Sequence, residues 1–171
     1  DEINKIQLLF TQAYITTDTR RTTIAAKQRA KECGHTSAAI ELSDGTIITS
    51  QSGPLLGCSA ALLLNAMKHL AGIDHDVKLI PQSMMDPIQK TKTCYLGSRN
   101  PRLHTDEVLV ALSVLSDTDS NCAAALRQLP NLRGCQVHIT VMVSDVDKRI
   151  FKKLGIGLSC EPILKSAKQN F

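Results

Sequence analysis

Apolar positions in residues 2–14 fall at Ile3, Ile6, Leu8, Leu9 and Ala13, near one face of a helical wheel. The chain is therefore expected to open on an amphipathic helix. The polar run Thr16-Thr17-Asp18-Thr19 stops it, and a second helix is expected over 20–33, closed by Gly34 in the position that favours a left-handed residue. The period then shortens. Two β-prone runs, Ser37–Leu42 and Thr46–Thr49, flank Ser43-Asp44-Gly45, which is a hairpin signal. Over 59–71 the apolar residues Ala60, Ala61, Leu62, Leu63, Leu64, Ala66, Met67 and Leu70 cover most of a helix circumference. Such a helix is buried on several sides.

Farther on, Val77–Ile80 reads as a short strand, and Pro81 opens a helix-prone segment. Helices are expected over 105–116 and 120–129, separated by Asp117-Thr118-Asp119. Val137–Val143 is the strongest strand pattern. Ser144 with Asp147 three residues on resembles a capping box. The helix it opens sets Val146, Ile150, Phe151 and Leu154 on one side, with Lys148, Arg149, Lys152 and Lys153 largely outside, and Gly155 ends it. Ile156–Cys160 supplies a last strand before Pro162, leaving 165–171 as a tail. A hairpin followed by strands joined through helices predicts an α/β three-layer sandwich around a mixed five-stranded sheet. One domain is expected, with a linking helix over 1–15, a core over 16–163 and a tail over 164–171.

Composition narrows this picture. With 43% apolar residues but only 3% aromatics and no Trp, the core of the 171-residue chain must be aliphatic. The net charge of +4 is mild and the cations are interspersed with acids, which suits acidic small molecules as ligands. A nucleic-acid partner is not indicated, because base stacking asks for aromatics and a continuous basic face. No apolar run reaches the ~18 residues of a membrane span. The cysteines Cys33, Cys58, Cys94, Cys122, Cys135 and Cys160 contain no C-x-x-C pair and read as mostly buried thiols of a reducing compartment. A cytoplasmic location is expected. Asp74-His75-Asp76 reads as a solvated turn rather than a metal cluster, since neighbours in a turn rarely converge on one ion. His138 reads as a satisfied sheet residue.

The element order resembles the cytidine-deaminase fold. Zinc deaminases need His or Cys, a spacer and Glu at the helix after the hairpin, then Pro-Cys-x-x-Cys at the next helix. Here those places read Cys58-Ser59-Ala60 and Pro81-Gln82-Ser83-Met84-Met85. The fold outline is kept and the zinc motif is not; no metal site is expected.

The segment from Thr93 to Glu107 concentrates the candidate chemistry. It holds Arg99, Asn100, Arg102, His104, Thr105, Asp106 and Glu107 in a turn-rich stretch marked by Gly97 and Pro101. Arg99 and Arg102 offer planar forks for carboxylate or phosphate. Asn100 would orient an anion, and His104 would lie within proton-transfer range. Thr105 is expected as the N-cap of the next helix, with Asp106 in its first turn. The competing reading is an ordered loop whose arginines pair with local acids and dock another subunit. Gly57 and Ser59, at the start of the buried helix, form a second candidate anion site through backbone N–H groups; the alternative is an ordinary capped helix.

The segments Ala39–Gly45, Leu56–Ala61, Asn65–Ile73, Pro87–Lys90, Tyr95–Val108 and Phe151–Ile156 resemble a bacterial family catalogued as domain of unknown function eighteen-forty-six. The resemblance covers nearly the whole chain. It implies the C-terminal domain of a two-domain cytosolic protein whose N-terminal domain is P-loop-like and is the place for any nucleotide cofactor. That agrees with a first residue, Asp1, that is not an initiator Met. A small residue such as Ala is expected at position 58, so Cys58 departs from the pattern. Two functions follow as expectations. One is a ligand- or substrate-binding domain of a nucleotide-dependent enzyme, with an anion loop at Arg99–His104. The other is a structural domain that supports a homo-oligomer and seats the N-terminal domain.

Overall fold

The computed structural model describes residues 2, 3, 5 and 20–162. Most of the helix expected over 2–14, the Thr16–Thr19 turn and the tail over 165–171 lie outside these residues. Helix α1 (Arg21–Cys33) ends as its sequence requires: Gly34 turns to φ 71° and returns its N–H to Ala30 O at 2.9 Å. Strands β1 (Ser37–Glu41) and β2 (Ile47–Gln51) form the expected antiparallel hairpin. Gly45 takes φ 85° in its turn, and Asp44 Oδ1 accepts from the Thr46 N–H. Helix α2 (Cys58–Leu70) follows, then α3 (Gln82–Lys90), which runs into a π turn over Thr91–Tyr95. Helices α4 (Thr105–Leu115) and α5 (Ser120–Leu126), strand β3 (Gln136–Ile139), helix α6 (Asp145–Leu154) and strand β4 (Gly157–Cys160) complete the order.

The sheet is mixed, in the order β2-β1-β3-β4, with β1 antiparallel to both neighbours and β3 parallel to β4. Alternation along the strands divides its two faces. Cross-strand partners Ala39, Thr49, His138 and Ser159 share one face. Helix α1 covers it, tied by the Arg21–Glu41 ion pair and by Lys27 to Glu161 at 3.3 Å. The opposite face carries Ala38, Ile40, Ile48, Val137, Ile139 and Leu158 and joins the main core. Leu62, Leu63 and Met67 of α2, Leu112 of α4 and Phe151 of α6 fill that core. Each such side chain contributes on the order of 2 kcal/mol by leaving water.

Three expectations are corrected. Among the described residues the sheet has four strands, because Val77–Ile80 does not pair. Side chains take up part of that backbone and of the turn before it instead. Lys68 Nζ donates to His75 O at 2.6 Å and Val77 O at 3.1 Å, and the Cys122 thiol donates to Leu79 O at 3.1 Å. Leu79 and Ile80 are still buried, so the apolar pattern was real but served a packed connector. Strand β3 stops at Ile139 rather than Val143, because β1 begins at Ser37 and offers no partner beyond it. Thr140 closes the ladder there by exchanging hydrogen bonds with Ser37. The helix expected over 120–129 ends at Leu126, and Pro130, which lacks an N–H, lies in a short 3₁₀ turn over Leu129–Leu132.

Candidate functional site

Two segments singled out separately in the sequence meet here. Leu103 N donates to Leu55 O at 2.9 Å, and Gly57 N to Leu103 O at 3.4 Å, in a small parallel bridge between Leu56 and Leu103. Arg102 Nε reaches across 49 residues to Gly53 O at 2.7 Å. The loop over 99–104 is thereby fixed against the start of α2. Its inner side is held by Lys92, a buried lysine that sequence reading passed over. Lys92 Nζ donates to Arg102 O at 2.6 Å and to Glu107 Oε2 at 2.8 Å. The same Glu107 oxygen accepts the His104 N–H at 2.7 Å.

That last bond corrects the helix start. His104, not Thr105, is the N-cap of α4, with φ −85° and ψ 173°. Thr105 is the first helical residue, and both its N–H and its hydroxyl donate to Asp147 Oδ1, at 2.9 and 2.7 Å. Asp147 comes from the first turn of α6. The capping box expected there is half formed. Ser144 Oγ accepts from Asp147 N at 3.2 Å, but the Asp147 carboxylate leaves its own helix and anchors α4. Its second oxygen faces His104 Nδ1 at 3.5 Å, a distance Ser144 Oγ shares.

Between these elements lies a cleft of about 250 Å³. Gly57, Cys58 and Ser59 of α2, Asn100, Arg102 and His104 of the loop, and Ser144 and Asp147 of α6 border it, with Ile139 and Val141–Val143 as an apolar wall. Ser59 is 5% exposed, and its hydroxyl hydrogen-bonds to no described residue. Although the residue is buried, that oxygen is not sealed from solvent. Cys58 has its N–H on Ser52 Oγ at 3.0 Å, and burial pushes its thiol above the ordinary thiol range. A protonated, enclosed thiol is a poor nucleophile. Asn100 spends Oδ1 on Arg102 N at 3.1 Å. Arg99 is exposed and does not border the cleft. Asp106 is half-buried, accepts from Glu107 N at 2.9 Å and also lies outside it.

Residues 18–169 match a family model described as "Domain of unknown function DUF1846, C-terminal". The chain belongs to this family. It is 47% identical over 159 residues to the UPF0371 protein cu0538 of Corynebacterium urealyticum, covering 93% of this chain and 32% of that protein. It is 53% identical over 137 residues to the UPF0371 protein DIP2346 of Corynebacterium diphtheriae, covering 80% and 28%. Similarity extends to the UPF0371 protein str1377 of Streptococcus thermophilus, 42% identical over 160 residues, covering 94% and 32%. The chain spans about a third of the length of these curated relatives.

Elsewhere in this member of the family the polar clusters are structural. A separate cavity of about 390 Å³ is lined mainly by apolar residues such as Leu64, Leu79 and Met85, and its one buried cation, Lys68, is committed to the two carbonyls already named. Asp74 and Asp76 form an exposed turn, closed by Asp76 N on Asp74 Oδ1 at 2.8 Å. His138 is enclosed in the sheet between Ser159 Oγ at 2.8 Å and Glu161 Oε1 at 3.0 Å. Among the described residues no three His, Cys, Asp or Glu side chains converge as metal ligands. None of their helices is long and apolar enough to cross a membrane.

Proposed function

We propose that this domain binds a small acidic compound in the cleft between the 99–104 loop and the first turns of α2 and α6. In this reading it is the ligand- or substrate-binding part of a longer, cytoplasmic, nucleotide-dependent enzyme. The nucleotide belongs to a P-loop-like domain of the same polypeptide. One observation carries the reading: Arg102, His104 and the Ser59 hydroxyl, which has no partner among the described residues, border one cleft beside a helix start. Backbone N–H groups of a first helical turn lack intrahelical partners and favour anions. Asp147, on His104 Nδ1, leaves Nε2 as the ring nitrogen offered to a ligand. The sheet order, with β1 antiparallel to both neighbours, supports a deaminase-like outline in which this cleft lies at the start of the helix after the hairpin.

Thermal unfolding of the wild-type protein and of Arg102→Ala, with phosphorylated metabolites, nucleotides and small carboxylates, tests the proposal. At a ligand concentration ~100 times Kd the wild type gains about 2.7 kcal/mol. Arg102→Ala loses most of that gain while folding normally. Equal stabilisation of both proteins by every ligand removes the cleft from consideration.

A second reading, assembly, is favoured by one feature. Val110 and Val114 stand one turn apart on α4, 65% and 62% exposed. Exposed apolar pairs of this kind suit a subunit or domain contact. Sedimentation of the protein at micromolar concentration distinguishes a stable homo-oligomer from a monomer. The two readings are compatible.

A further inference from the structure

Resting on the cleft reading above, we infer that the acidic group it takes is the phosphoryl group of a small phosphate monoester. The phosphoryl oxygens meet Arg102, His104 Nε2, the Ser59 hydroxyl and the Ser59 and Ala60 amides of α2, and the ester's carbon part lies on Val141 and Met142.

The arrangement of donors distinguishes phosphate from carboxylate. A carboxylate presents two coplanar oxygens and is satisfied by one guanidinium fork. A tetrahedral phosphoryl group presents three terminal oxygens in diverging directions. Here the donors arrive from separate elements: Arg102 and His104 from the loop, Ser59 from α2. Arg102 Nε is already held by Gly53 O, which fixes the plane of the guanidinium and leaves its terminal nitrogens to a ligand. The Asp147 carboxylate borders the same cleft, but Oδ1 already accepts two bonds from Thr105 and Oδ2 faces His104.

Ser59 is the independent observation. It is more than nine-tenths buried, borders the cleft and has no partner among the described residues. Its oxygen is not sealed from solvent, so it can exchange water for a ligand oxygen. The apolar wall indicates the ester. Val141 and Met142 are 37% and 47% exposed beside the cleft, an apolar surface on which a carbon group can lie.

Calorimetric titration of the protein with phenyl phosphate, inorganic phosphate and benzoate separates the alternatives. Phenyl phosphate is expected to bind more tightly than inorganic phosphate, and benzoate to bind weakly or not at all. Ser59→Ala is the decisive variant. It removes an unpaired hydroxyl and puts the best helix former in a first helical turn, so its melting temperature stays level or rises. Its phenyl phosphate affinity nonetheless falls roughly tenfold, the size of one hydrogen bond to a charged group. Unchanged affinity in Ser59→Ala overturns the inference. Binding of benzoate that depends on Arg102 also overturns it, while leaving the cleft reading intact. Equal affinity for phosphate and phenyl phosphate removes the ester. No binding of any of the three, with Arg102→Ala indistinguishable from wild type, overturns both.

Discussion

An ammonium group taken out of water needs acceptors in place of its hydration shell, and Lys92 finds them in Arg102 O and Glu107 Oε2. Those two bonds hold Arg102 and His104 from the inner side, as the Leu56–Leu103 bridge and Gly53 O hold the loop from the other. Lys92→Met keeps most of the apolar stem and removes the charged end, leaving Glu107 and a loop carbonyl without their donor. Breaking a largely buried pair from one side is costly, so urea unfolding is expected to show a loss of about 2–3 kcal/mol; a loss under about 0.5 kcal/mol would mean that Lys92 is dispensable to the loop. His138 provides the pH signature. Burial lowers its proton affinity below that of an ordinary histidine, outweighing the opposite pull of Glu161. Between the folded value and about 6.5, the unfolded chain binds more protons than the native one, so stability rises with pH across that window. Stability is therefore expected to fall as pH drops below about 6.5, and His138→Gln to flatten that fall in melts between pH 7 and pH 5. An equally steep curve in the variant would assign the effect to other groups.

At the scale of elements, the contact between α4 and α6 is the least ordinary feature. A residue three positions after a serine N-cap usually returns its side chain to that cap, but Asp147 crosses to the Thr105 N–H and hydroxyl. Removing the cap and removing the crossing have different consequences. Ser144→Ala costs about 1 kcal/mol, the usual loss of an N-cap. Asp147→Ala strands two buried donors of Thr105 and costs about 3 kcal/mol. Chemical denaturation of both variants checks this, and equal losses would contradict the crossing. The same elements show what was legible. Hairpin, helix ends and buried helix were readable because Asp-Gly turns, Gly34 and Gly155 and the Leu-rich run act locally. Ser144-x-x-Asp147 was also readable, but the destination of Asp147 was not, because its partner is 42 residues away. Val77–Ile80 misled for a related reason: its Val77 and Leu79 carbonyls are taken by Lys68 and Cys122, and no periodicity reports a side chain that replaces a strand partner.

For the molecule as a whole, the fold's main consequence is convergence. The sequence offered Gly57–Ser59 and Arg99–Asp106 as two separate candidates, and the Leu56–Leu103 bridge makes one cleft of them. Arg99 and Asp106 fall away from it, while Asn100, Arg102 and His104 face it. Backbone amide mapping by nuclear magnetic resonance during titration with phenyl phosphate tests this most directly. Shifts are expected to concentrate at Ser59, Ala60, Arg102, His104 and Met142, and to vanish in Arg102→Ala. Shifts confined to other surfaces, or none at saturating ligand, would contradict the cleft as the site.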